Sequence, residues 1–206
     1  MIYRILGILI FFIFHFSLPM QAAEEKRLVN IRQLTFGGEN AEAYFSPDGT
    51  ELIFQSTREG SACDQIYTMK TDGSQVAKIS TGQGRTTCGY FYPADSRWAL
   101  YSSTHEISPD CPTPPDRSHG YVWGLYPYDI FRLHRKSGRL EVLAPSGGYD
   151  AEATISADGK KIVFTSDRDG DLELYVMDAD GKNLRRLTHT PGYDGGAFFS
   201  ADAKKI

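Results

Sequence analysis

The feature that most restricts what this chain can fold into is a repeat. "GYDAEATISADGKKI" (residues 148–162) and "GYDGGAFFSADAKKI" (192–206) read almost alike at a spacing of 44 residues. Anchoring on one aspartate gives four registers: "AYFSPDGTELIF" around Asp48, "YFYPADSRWALY" around Asp95, "ATISADGKKIVF" around Asp158 and "AFFSADAKKI" around Asp202. The steps are 47, 63 and 44 residues, and the long one contains an insertion, "STHEISPDCPTPPDRSHGYVWGL". A period of about 45 residues means one supersecondary unit per repeat, each burying its apolar faces against its neighbours.

Each unit has the same internal grammar. A short apolar stretch (43–45, 153–155) runs into a Pro/Ala-Asp-Gly turn, where Gly49 or Gly159 supplies the positive φ of a tight hairpin. A second stretch, "ELIFQS" or "KIVFTS", contains consecutive apolar residues that suit a strand covered on both faces. A polar loop, "TREGSACDQ" or "DRDGDLE", leads to a third strand, "IYTMKTD" or "LYVMDAD". Asp72-Gly73 and Asp180-Gly181 turn the chain into a fourth, "AKIST" or "RRLTH". Four antiparallel strands that cannot shield both faces alone predict an all-β fold, a β-propeller of four-stranded antiparallel blades. About three full blades and part of a fourth are expected, with repeats at about 31–80, 81–143, 144–187 and 188–206.

The Ser-Pro-Asp-Gly and Ser-Ala-Asp-Gly turns, the segment "TSDRDGDLELYVMDADG" and the Leu-Thr pairs at 34–35 and 187–188 resemble the WD-like propeller repeats of TolB-type periplasmic proteins. The resemblance spans residues 31–206. It implies a non-enzymatic, exported scaffold that recognises envelope protein partners, and a chain continuing beyond Ile206 to complete the ring. Similar blades also form the gating domain of prolyl-oligopeptidase-like serine peptidases, the alternative reading, in which a catalytic domain follows residue 206. The second repeat departs from the pattern, with Ser96 where the turn glycine belongs.

Residues 1–23 are expected to be an export signal: Arg4 is the only charge before Glu24, and an apolar run precedes Ala22-Ala23. That run is short for a membrane span, so no span is expected after cleavage, and the localisation is periplasmic or secreted. Removing this segment moves the formal net charge from -4 to -5 and leaves residues 24–206 as the propeller. Mild acidity without clustered Lys and Arg argues against a nucleic-acid partner.

Aligning the connections between blades places Asn40, Thr87, Asp150 and Asp194 in one position, and Glu42, Gly89, Glu152 and Gly196 two residues later, at the start of the innermost strand near the central channel. Carboxylates there either bind a cation or a basic partner segment, or cap the turn through its amides. Trp123 and Tyr126, on the proline-stiffened insertion with Tyr121 and Tyr128, either anchor a partner or cover the blade edge. Cys63, Cys88 and Cys111 lie in the exported part, where disulfides persist; a Cys63–Cys88 bond is expected, because neither residue sits within the insertion. No catalytic motif, cofactor signature or standard metal spacing occurs; "DRDGDLE" lacks the spacing of a calcium loop, and Cys111 with His105 and His119 fits no zinc pattern.

Overall fold

The recurring Ser-x-Asp turn fixes where each unit reverses. In the first repeat Ser46 Oγ donates to Asp48 Oδ1 at 2.6 Å, and the Thr50 N–H donates to the same carboxylate at 3.1 Å. These bonds, the Ser46 hydroxyl first, hold the Asp48 carboxyl down at about 2. The pattern recurs at Ser156 and Asp158 and at Ser200 and Asp202, at 2.7 Å in both cases.

The computed structural model describes residues 27–120 and 122–206; the expected export signal, residues 1–23, and Tyr121 lie outside the described residues. Residues 27–33 belong to a separate unit and carry no strand or helix. The blades lie in the unit from Leu34 to Ile206.

Twelve strands form three four-stranded sheets, with no helix among the described residues. The first blade comprises β1 (Glu39–Phe45), β2 (Glu51–Thr57), β3 (Gln65–Lys70) and β4 (Ala77–Lys78). The second comprises β5 (Thr86–Phe91), β6 (Trp98–Ser103), β7 (Asp129–His134) and β8 (Arg139–Leu143). The third comprises β9 (Asp150–Ile155), β10 (Lys161–Ser166), β11 (Glu173–Asp178) and β12 (Arg185–Arg186). Every neighbouring pair is antiparallel and sequential, as a propeller blade requires. The first turn of the fourth repeat is present: the Ser200 N–H donates to Lys205 O at 2.8 Å, as Ser46 does to Glu51 and Ser156 to Lys161.

Ile162, Val163 and Phe164 on β10 are fully buried, as expected of a strand covered on both faces. The core lies between blades: Ile53 and Ile66 of the first pack with Phe91, Ala99 and Tyr101 of the second, and Leu100 and Ile130 of the second with Ile155, Ile162 and Phe164 of the third. Gly89 marks a close approach between the first two blades, since a Cβ there would sit 2.9 Å from Ile66 Cγ2 and 3.1 Å from Ile53 Cγ1. The equivalent positions hold Ala43, Ala153 and Ala197, the smallest side chains available.

The second hairpin resolves its missing glycine by growing. Phe91 pairs with Ala99, whereas Phe45 pairs with Leu52 and Ile155 with Ile162, so this turn has one extra residue and needs no positive φ at Ser96. The expected alignment of the second repeat is therefore corrected by one position. Thr86 and Cys88, not Thr87 and Gly89, match Asn40 and Glu42, because the anchor at Asp95 lies beyond the extra residue.

The disulfide also differs from expectation. Cys63 bonds to Cys111, with Cα atoms 5.8 Å apart, and Cys88 is a buried free thiol. The length of the insertion carries Cys111 across the blade boundary to Cys63 in the β2–β3 loop, and the Gly84 N–H of the β4–β5 connection donates to Pro109 O at 2.7 Å. Cys88 lies on β5 and faces a cavity at the centre of the blades instead.

Candidate site: a cavity where the inner strands meet

Each inner strand carries a β-bulge two or three residues from its start. Register shifts fall between Ala41 and Tyr44, between Thr87 and Tyr90, and opposite the Val163–Thr165 step of the third blade. The bulged residues Glu42, Cys88 and Glu152 have φ of 50°, 55° and 59°, and Gly196 of the fourth repeat has 63°. A bulge inserts an extra residue and re-aims its side chain. Here it separates two layers that a regular strand would have pointed the same way.

The outer layer is structural. Asp150, with no exposure, accepts from Arg168 Nη2 at 2.8 Å and from Ser146 Oγ at 2.6 Å. Asn40 accepts from Arg58 Nη2 at 2.6 Å and from Ser56 Oγ at 2.9 Å. Both arginines lie over paired aromatics: Arg58 5.1 Å from the Phe54 ring and 5.3 Å from Tyr67, Arg168 5.5 Å from Phe164 and 5.1 Å from Tyr175. Each Nε donates to a serine two residues earlier, Ser56 or Ser166, at 2.9 Å. In the second blade His105 occupies this slot, with Nδ1 2.8 Å from Ser103 Oγ and its ring 4.4 Å from Phe131. Asp150 and Asn40 thus point away from the centre, clamping the strand ends. Asp194 is half-buried; its N–H donates to Leu172 O at 2.8 Å, while its Oδ2 has no hydrogen-bond partner among the described residues.

The inner layer lines a cavity of about 160 Å³. Glu152 is nearly buried and fully engaged: Tyr149 Oη donates to Oε1 at 3.1 Å, while Thr165 Oγ1, Tyr193 Oη and the Gly196 N–H each donate to Oε2 at 2.7 Å. Burial pushes the Glu42 carboxyl up, with the Glu152 charge adding to the effect and the Cys88 thiol and N–H opposing it. Burial likewise raises the Cys88 thiol well above its usual range, and moves Tyr44 up to about 12. Two residues beyond the bulges, Tyr44, Tyr90 and Phe198 cluster at the centre, with ring centroids 5.0 Å (Tyr44 to Tyr90) and 6.0 Å (Tyr44 to Phe198) apart.

The insertion supplies the mouth. Trp123, 51% exposed, lines this cavity and an adjoining one of about 250 Å³ that shares Glu42 with it. The second cavity is walled by Asp64, Arg85, Arg117 and Tyr126. Tyr126 Oη donates to Thr113 O at 3.1 Å, and its ring packs near-perpendicular to Tyr128. Arg85 pairs with Asp64, whose carboxyl burial raises and Arg85 lowers.

Of the sequence candidates, Glu42, Glu152 and Trp123 meet at one site and Tyr126 lines its neighbour, whereas Asn40, Asp150 and Asp194 stand apart from both. Cys88, Tyr44, Tyr193 and Phe198 belong to the site and escaped sequence reasoning. The aromatic residues at 44, 90 and 198, once in register, were the available signal.

No family profile matches the chain. An uncharacterized protein of Agrobacterium fabrum is 26% identical over 159 residues, 73% of this chain and 47% of that protein. The Tol-Pal system protein TolB of Wolinella succinogenes is 29% identical over 77 residues, 37% of this chain and 18% of that protein. The crystal structure of TolB from Acinetobacter baumannii superposes with a TM-score of 0.59 at 25% identity, covering 76% of this chain and 34% of that one. In sequence and in fold the chain is similar to TolB-type propeller repeats. The chain spans less than half the length of each of these relatives.

Proposed function

We propose that the chain is an exported, non-enzymatic β-propeller that recognises protein partners in the cell envelope, with the insertion rim as its recognition face. The observation that carries this is the placement of Trp123. A half-exposed tryptophan on a disulfide-tethered loop, beside the central cavity, has the character of an interface anchor: large, rigid and partly desolvated before binding. Kinship with TolB, a Tol-Pal system protein, supports the envelope setting.

Of the serine–histidine pairs, Ser137 with His134 lies exposed in the β7–β8 turn, and Ser103 with His105 supports the non-enzymatic reading. It occupies the slot filled by Ser56 with Arg58 and by Ser166 with Arg168, so its geometry follows from blade architecture. Ser103 is buried, out of reach of a substrate.

Site-specific photocrosslinking in intact cells tests the proposal. A photoreactive residue at position 123 is expected to capture a discrete envelope protein, and one at Lys160, on the opposite rim, is not. Equal labelling at both positions, or retention of the protein in the cytoplasm on fractionation, contradicts it.

A further inference from the structure

We infer that the central cavity is a receptor for one alkylammonium group, seated between Glu42 and the rings of Tyr44, Trp123, Tyr193 and Phe198. The group is either the head of a partner's lysine side chain or a free primary amine. The lysine source rests on the protein-recognition reading above; the cavity itself is built by this chain alone.

Size sets the first limit. At about 160 Å³ the cavity is well below the roughly 300 Å³ at which drug-sized ligand pockets begin, so it admits the end of one side chain. Electrostatics sets the second. Two carboxylates and no basic side chain line it among the described residues, and aromatic faces present negative charge to whatever enters. Anions are repelled, and a neutral polar group gains little from the rings. A cationic head on an apolar stem satisfies both kinds of wall.

The carboxylates divide the work. Glu152 already accepts four hydrogen bonds, which lock its orientation and leave it a fixed source of negative field. Among the described residues Glu42 accepts no strong hydrogen bond: the Cys88 thiol beside it is a weak donor and the Cys88 N–H donates to Gln55 Oε1 at 3.2 Å, so Glu42 retains capacity to accept from an ammonium. Its surroundings also favour charge compensation. Facing Glu42 are Glu152 from β9, Cys88 from β5 and Tyr44 from its own strand, with Asp64, Arg85 and Arg117 across the adjoining cavity. A bare metal ion fits less well, because no three metal-ligating side chains come together among the described residues.

The test titrates the intact protein with n-butylammonium chloride, following tryptophan fluorescence and calorimetric heat, against n-butanol and against sodium chloride at equal ionic strength. Saturable binding of butylammonium alone is expected, weakened at least about tenfold by Glu42→Gln and by Trp123→Leu. Trp123→Leu lies outside the core, so it remains informative if Glu42→Gln impairs folding. A lysine-containing neutral peptide, compared with its Nε-acetylated form, separates the sources. Acetylation-sensitive peptide binding assigns a partner lysine, and butylammonium binding without peptide binding assigns a free amine. Equal responses to butylammonium and butanol, or an affinity unchanged by Glu42→Gln in a folded protein, overturn the inference. Crosslinking from position 123 is unaffected by that failure, so the two readings fall separately.

Discussion

Removing the Cys63–Cys111 bond gives the most quantitative perturbation. The two residues are 48 apart in sequence, so the bond closes a long loop in the unfolded chain. The chain-entropy relation assigns such a loop about 4 kcal/mol of stabilisation, drawn almost entirely from the unfolded state. With a urea m-value of about 2 kcal/mol/M, Cys111→Ser should lower the unfolding midpoint by about 2 M. The assay is urea denaturation followed by tryptophan fluorescence, with and without reductant. Reductant should reproduce the shift in the wild type and do nothing further in Cys111→Ser. Because the bond ties the insertion to the first blade, its loss should also speed alkylation of Cys88 at urea concentrations far below the midpoint. A midpoint shift below about 0.5 M would refute the reasoning, as would Cys88 alkylation indifferent to the bond.

Glu42→Gln should change the pH dependence of stability. Burial raises the folded-state pKa of Glu42 above 4.5, so its contribution is fully present below that value and is lost as pH rises through the folded pKa. Relative to wild type, the variant should gain in urea midpoint between pH 4 and pH 8; a constant difference between the two would contradict this. Gly89→Ala should cost about 1–3 kcal/mol in urea unfolding, because its Cβ would press on Ile66 and Ile53 across the first blade boundary. Arg168→Ala should cost about 3–5 kcal/mol by leaving Asp150 buried and unpaired. Arg58→Ala, whose partner Asn40 is neutral, should cost about 2 kcal/mol less than Arg168→Ala, a difference readable as separate thermal midpoints.

Much of the fold was legible because turn chemistry recurs with the period. Ser-x-Asp hairpins at 46–48 and 156–158 announce themselves, and the apolar run at 162–164 is a strand covered on both faces. Three things escaped, each for a physical reason. The extra residue in the second hairpin offset every position upstream of Asp95, which hid Cys88 behind Gly89. The path of the insertion depends on tertiary contacts such as Gly84 with Pro109, so periodicity carried no information about which cysteine it would deliver to Cys63. A bulge also re-aims one side chain without altering the apolar pattern. Asn40 and Glu42, two apart, therefore read as one layer although Asn40 holds Arg58 and Glu42 faces the cavity. Asp150 and Asn40 proved to be clamps, while Glu152 and Glu42, two positions on, line the cavity.

The central claim is that inner strands from different repeats converge on one axis and enclose a shared site. Nuclear Overhauser contacts between aromatic rings, in protein with selectively labelled tyrosine and phenylalanine, test it directly. Tyr44 of the first repeat should show cross-peaks to Tyr90 of the second and to Phe198 of the fourth, at centroid separations of 5.0 and 6.0 Å. A Tyr44 ring with contacts only inside its own repeat would contradict the account.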